Sequence, residues 1–170
     1  MFVELLFETL CGKCDHKSCC TDSAVPLVFS HDLEKIRKLT IPHKQYLTTV
    51  KINGRNIGAI KKKDNSTECI FWNGDLGGCS IYESRPIDCK LYPFDILLIG
   101  NEYCWIVYSC NEKSDWNWSE NHLKELELDD GFDDLMKNIG YFSEHTTMVL
   151  PKESKKTPYT VLRKVNWVNS

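Results

Sequence analysis

Residues 79–94 read Cys79-Ser80-Ile81-Tyr82-Glu83-Ser84-Arg85-Pro86-Ile87-Asp88-Cys89-Lys90-Leu91-Tyr92-Pro93-Phe94. Nine residues separate the two cysteines, and nine more separate Cys79 from Cys69. Cys104 and Cys110 follow, and a first group, Cys11-Gly12-Lys13-Cys14 and then Cys19-Cys20, lies near the N-terminus. Two thiolates with two residues between them can face one ion, because the turn between them folds back, and Gly12 suits such a turn. A four-thiolate site draws its ligands from distant segments. A knuckle-like pair followed, after a spacer, by further cysteines has that pattern.

Length and composition agree with this reading. The chain has 170 residues, a net charge of −3 and 42% hydrophobic residues, enough for a core without disulfide staples. The near-neutral charge does not advertise a nucleic-acid partner. No stretch approaches a membrane span of roughly 20 apolar residues. Glu4 and Glu8 interrupt the first apolar run and no basic residue precedes it, so it does not read as a secretory signal. A cytoplasmic location is therefore expected. In that reducing compartment nine cysteines point to metal or redox chemistry more than to disulfides.

The resemblance enters on these cysteines. The first group, with Cys69-x9-Cys79-x-Ile81-Tyr82-Glu83-x-Arg85-Pro86-x-x-Cys89-x-x-Tyr92-Pro93-Phe94, resembles the YkgJ-like cysteine-cluster family. These CxxCxxCC-type proteins are described as zinc- or iron-chelating and often as iron–sulfur proteins. The match covers about residues 11–110. It implies metal ligands at Cys11, Cys14, Cys19, Cys20, Cys69, Cys79, Cys89 and Cys110, and it puts an iron–sulfur cluster such as 4Fe-4S ahead of zinc. One departure is plain. Four residues separate Cys14 from Cys19 where the family form has two, which leaves open which of Cys19 and Cys20 ligates. Cys104 has no counterpart and is expected in the core, as a small buried hydrophobe.

Spacing alone does not choose the metal, since an all-sulfur site suits both iron and zinc. Three functions follow: an iron–sulfur protein passing electrons or supporting a partner enzyme, a structural zinc interaction module, or a thiol redox switch. A protein or redox partner is expected in the first two. No catalytic triad, phosphate loop or dinucleotide fingerprint is present, and no acid–base pair is legible, so enzyme status stays open. Arg85 either faces the thiolates or an anionic substrate, or pairs with Glu83 or Asp88 beside a turn set by Pro86. Tyr82, Tyr92 and Phe94 either shield a cluster or fill core. His16 could replace a thiolate, and His31, His43, His122 and His145 are expected to be exposed.

The fold class expected is α+β: short β-hairpins, a few helices and a helical C-terminal region. Residues 1–110 hold every cysteine and are expected to form the metal-binding module, with 111–170 as an accessory region. Residues 46–62 read as a hairpin about Asn53-Gly54, and Phe94–Ile99 and Tyr103–Tyr108 as another about Gly100-Asn101. Cys69–Trp72 is a strand candidate. Ser30 is expected to cap a helix to about Leu39, and Ser119 another through Leu126. Phe132, Leu135, Met136 and Ile139 have helical spacing, with Gly140 as terminator. The basic tail from Pro151 is expected to be a solvated face or flexible end, the alternative being contact with an acidic partner anchored by Trp167.

Overall fold

The computed structural model describes residues 25–39, 41–75, 77–108, 116–150 and 159–167. The class is α+β, with helices and small antiparallel sheets. Hairpin β1 (Leu47–Ile52) and β2 (Arg55–Ile60) pairs Leu47 with Ile60 and Ile52 with Arg55. Asn53 and Gly54 turn it at φ of 47° and 81°, the left-handed pair that a two-residue hairpin loop requires. Tyr46 belongs not to the strand but to the short helix α2 (His43–Tyr46) before it, whose last turn buries the ring.

The segment before α1 (Ser30–Arg37) lies along β2. Val28 N donates to Gly58 O at 2.9 Å, and Ile60 N to Pro26 O at 2.9 Å. Phe29, not Ser30, takes the N-cap position of α1. The carboxylate of Asp32 supplies the cap by accepting the Phe29 amide at 3.1 Å. The helix also stops at Arg37, short of Leu39.

Next come β3 (Trp72–Asn73), β4 (Gly78–Cys79), a 3₁₀ turn (Tyr82–Ser84) and α3 (Ile87–Leu91). The strand expected over Cys69–Trp72 shrinks to Trp72–Asn73. Cys69 makes an isolated bridge to Lys62 and then a turn, with Trp72 N donating to Cys69 O at 2.9 Å. The larger sheet has the order β5 (Phe94–Ile99), β6 (Glu102–Tyr108), β7 (Tyr159–Lys164).

Strand β7 departs from the solvated or flexible end expected there. Tyr159–Lys164 pairs antiparallel with β6, and Arg163 is held by Glu127 and Glu120. Those acids lie far away in sequence, so the basic run has a structural partner that local reading misses. Trp167 packs against this chain's own core, and its Nε1 donates to Asp133 Oδ1 at 3.2 Å.

Helices α4 (Ser119–Glu127), α5 (Asp130–Lys137) and α6 (Ile139–Val149) follow β6. Ser119 is the first helical residue of α4 and buried, with Trp118 at the N-cap. Asp129 caps α5, its Oδ1 accepting Gly131 N at 2.9 Å. Gly140 does not end this helix. The break is at Asn138, whose side chain donates to Asp134 O at 2.9 Å and satisfies an end carbonyl of α5. Ile139 then begins α6.

The main core joins Leu27, Phe29, Ile87, Phe94, Trp105 and Val107 to Leu123, Phe132, Leu135 and Phe142, residues from both sides of Cys110. Trp105 is fully buried and stacks on Phe132 at 5.7 Å between ring centroids. Such a pair adds about 1 kcal/mol beyond area burial. A smaller cluster of Val28, Ile36, Tyr46, Ile60, Phe71 and Ile81 lies beside it.

Candidate metal centre

Of the eight expected ligands, Cys69, Cys79 and Cys89 fall among the described residues, all half-buried. Cys11, Cys14, Cys19, Cys20 and Cys110 lie outside them, as does His16. Cys69 and Cys79 share one small unit. Cys79 is the register partner of Trp72, which is one hydrogen-bonded turn from Cys69. Both cysteines pack against the smaller cluster with Val28, Phe71 and Ile81. Cys89 sits in α3 between the buried Ile87 and Leu91. Among the described residues no three His, Cys, Asp or Glu side chains gather as an ion would require.

The chain leaving the first cysteine group reaches both parts of the second. Leu27 N donates to Asp88 Oδ2 at 2.6 Å, directly beside Cys89. Ile87 N donates to Asp32 Oδ1 at 2.9 Å. Val28, one residue on, enters the cluster that holds Cys69 and Cys79. The chain approaching Cys110 is drawn to the same side. Tyr108 N donates to Pro93 O at 3.1 Å, and the Tyr108 ring stacks on Tyr92 at 6.1 Å.

Three carboxyls surround this junction, Asp32 and Asp95 buried and Asp88 half-buried, and sequence reading named none of them as an anchor. Burial pushes Asp32 up despite its two amide donors. Burial, reinforced by Asp95, pushes Asp88 well up. Asp95 is pushed up to about 6, mainly by burial, and hydrogen bonds from Tyr108, Thr146 and the Ile96 amide oppose the rise. Thr146 Oγ1 donates to Asp95 Oδ1 at 2.8 Å, and Tyr108 Oη donates to Asp95 Oδ2. The one sequence signal for Asp95 is an acid inside the apolar strand Phe94-Asp95-Ile96-Leu97.

Cys104 is half-buried on β6 rather than fully in the core. Its thiol reaches the Glu102 carbonyl at 3.8 Å, and burial with the Glu102 charge pushes its pKa up. Arg85 pairs with neither Glu83 nor Asp88. Its guanidinium lies 3.7 Å over the Tyr82 ring, a cation–π contact. Phe94 is core, flanked by Trp116, Trp118 and His122. The expectation of exposed histidines fails at His145, which is buried, and at His122, whose side chain is 11% exposed. Burial lowers the pKa of both. A shallow cleft of about 410 Å³ beside β3 and β4 is lined by Lys63, Trp72, Asp75 and Ser80, and it opens widely to solvent.

The donor chemistry decides what such a centre fits. Half-buried thiols on short, cross-braced segments suit a soft-metal or iron–sulfur site more than a hard cation, which takes oxygen ligands. A family model, CxxCxxCC, described as a "putative zinc- or iron-chelating domain", matches residues 10–121, which include all nine cysteines. The chain belongs to the CxxCxxCC family. No curated protein and no solved structure matches it. Membership in the CxxCxxCC family supports metal binding in general and leaves zinc and iron both open. Among the described residues no helix is long and apolar enough to cross a membrane.

Proposed function

We propose that this CxxCxxCC protein holds an iron–sulfur cluster on thiolates drawn from Cys11, Cys14, Cys19, Cys20, Cys69, Cys79, Cys89 and Cys110. In this reading it acts in the cytoplasm, passing electrons to a redox partner or supporting a partner enzyme. One observation carries the proposal. The segment leaving the first cysteine group is fastened by Leu27 to the residue beside Cys89, and by Val28 to the cluster around Cys69 and Cys79. A bound cluster supplies one-electron chemistry at a potential tuned by burial and by hydrogen bonds to sulfur. In this reading the protein's part is to bring the two cysteine groups together and to exclude water, with the buried Ile87 and Leu91 on either side of Cys89 supporting it.

Anaerobic purification followed by an absorption spectrum and quantification of iron, zinc and acid-labile sulfide tests this. Visible thiolate-to-iron absorption with matching iron and sulfide is the expected result. Stoichiometric zinc in colourless protein replaces it with a structural zinc module, whose metal-binding free energy is folding free energy. Neither metal in fresh, reduced protein leaves the thiol switch.

A further inference from the structure

Three helices bring two lysines to one carboxylate. Lys35 lies in the last turn of α1, Lys90 in the last turn of α3, and Asp129 at the N-cap of α5, against which both helices pack. Both oxygens of Asp129 are used: Oδ1 accepts Gly131 N at 2.9 Å and Oδ2 accepts the Lys90 ammonium. Lys90 is thereby held in place, with 19% of its side chain exposed. The half-buried Lys35 amine stands within hydrogen-bonding reach of Lys90 Nζ. Two ammonium groups repel each other there, whereas a neutral Lys35 amine accepts a hydrogen bond from Lys90. Burial and the Lys90 charge hold Lys35 below the ordinary lysine value, while Asp129 and Asp32 oppose the fall. A lysine that is partly desolvated beside another cation is a common form of amine nucleophile.

We infer that Lys35 is a modification site for carbon dioxide, its free amine forming a carbamate that the Lys90 ammonium holds. The neutral amine attacks the carbon of carbon dioxide. A C–N bond forms, one C–O π bond opens to leave the charge on oxygen, and the proton lost from nitrogen passes to water. Nothing is oxidised or reduced. The product turns a repelling pair into an attracting one, because the carbamate is an anion and accepts from Lys90 Nζ, whose position Asp129 fixes. Carbon dioxide suits this place because it is small and uncharged and needs no pocket of its own, whereas a larger electrophile would need a cavity to orient it. Lys137 and Lys164 show the contrast. Each is bonded to one acid, Asp133 or Glu102, which raises its pKa and keeps it an ammonium. The inference uses none of the cysteines and stands apart from the thiolate reading.

The test equilibrates the full chain with isotope-labelled bicarbonate near neutral pH. Carbon NMR reads the carbamate, and triethyloxonium trapping followed by peptide mass locates it. The parent is expected to give a carbamate resonance and a trapped adduct on Lys35, and Lys35→Arg is expected to lose both. Lys90→Gln is expected to lower the occupancy of Lys35 about tenfold, the equivalent of one unit in the proton affinity of its amine. Lys90→Arg keeps a cation beside the amine and is expected to keep most of the occupancy. Should Lys90→Gln not fold, Lys90→Met, which keeps the apolar stem and drops the charge, takes its place. If neither folds, the parent and Lys35→Arg still decide. No label on the parent, or label only on the α-amine or on other lysines, overturns the inference. Equal occupancy of Lys35 with and without the charge at position 90 overturns the part assigned to Lys90.

Discussion

Glu127 and Arg163 join a helix to the edge of the sheet. Arg163 Nη1 donates to Glu127 Oε1 at 2.7 Å and Nη2 to Oε2 at 3.0 Å, a two-pronged pair. The same carboxylate accepts Trp105 Nε1 at 2.8 Å and Asn166 N at 2.9 Å. Only 7% of the Glu127 side chain and 19% of that of Arg163 are exposed. Removing Glu127 leaves Arg163 with Glu120 alone and takes the acceptor from Trp105 Nε1 and Asn166 N. Glu127→Ala is therefore expected to cost about 3 kcal/mol in urea unfolding, with β7 amides losing hydrogen-exchange protection first. A cost under about 0.5 kcal/mol, the range of ordinary surface changes, would contradict this.

Asp95 gives a pH signature. Its folded pKa of about 6 lies above the ordinary 3.8. Between those values the folded state holds a proton that the unfolded state has lost, so stability falls as pH rises through that window. The shift corresponds to about 3 kcal/mol. Asp88, also pushed up, adds in the same direction, and Tyr108 donates to Asp95 throughout. Asp95→Asn is expected to lose this one contribution. Parent and variant unfolded side by side between about pH 4 and pH 6.5 share whatever protons do at the thiolates, so their difference reports Asp95 together with the part of the Asp88 shift that Asp95 imposes. Parallel profiles would refute the assignment.

What was legible in sequence was local. Asn53-Gly54 and Gly100-Asn101 announce hairpins because the turn chemistry sits within the turn. β7 was hidden because Arg163 and Lys164 read as solvated charge until Glu127 and Glu102 are known to face them. The helix N-caps lie one residue before the serines: Phe29 takes the first with the Asp32 carboxylate accepting its amide, and Trp118 takes the second, while Ser119 is buried inside the helix. The cysteines of the candidate centre were readable as a set. Asp32 and Asp88 were not, because an acid that braces the backbone is recognised only through the amide it holds, here 55 and 61 positions away.

Tyr46 offers a substitution in the opposite sense. It is fully buried against Phe71, and its hydroxyl has no hydrogen-bond partner among the described residues. An unsatisfied buried hydroxyl costs about 1–3 kcal/mol of desolvation. Tyr46→Phe removes it and keeps the ring, so a gain of about 1 kcal/mol in thermal or urea unfolding is expected. A loss of that size would mean that the hydroxyl has a partner.

Gly58 connects packing to the candidate centre. A methyl group built there would lie 3.1 Å from Val28 Cγ2 and 3.4 Å from Val28 O. Val28 cannot easily yield, being 4% exposed and bonded through its amide to Gly58 O at 2.9 Å. Gly58→Ala therefore requires Val28 to give by a few tenths of an ångström, and where residues 26–28 move with it the overpacking costs about 1–3 kcal/mol. The same displacement drags Leu27 from Asp88 and Val28 from the cluster around Cys69 and Cys79. Metal affinity is thus expected to fall together with stability, although Gly58 touches no cysteine. A near-isosteric change at the exposed register partner of Gly58, Thr49→Val, should leave affinity unchanged. If Gly58→Ala lowers stability while Zn(II) competition matches the parent, the 26–28 segment does not transmit strain to the thiolates, and the two cysteine groups are aligned by other contacts.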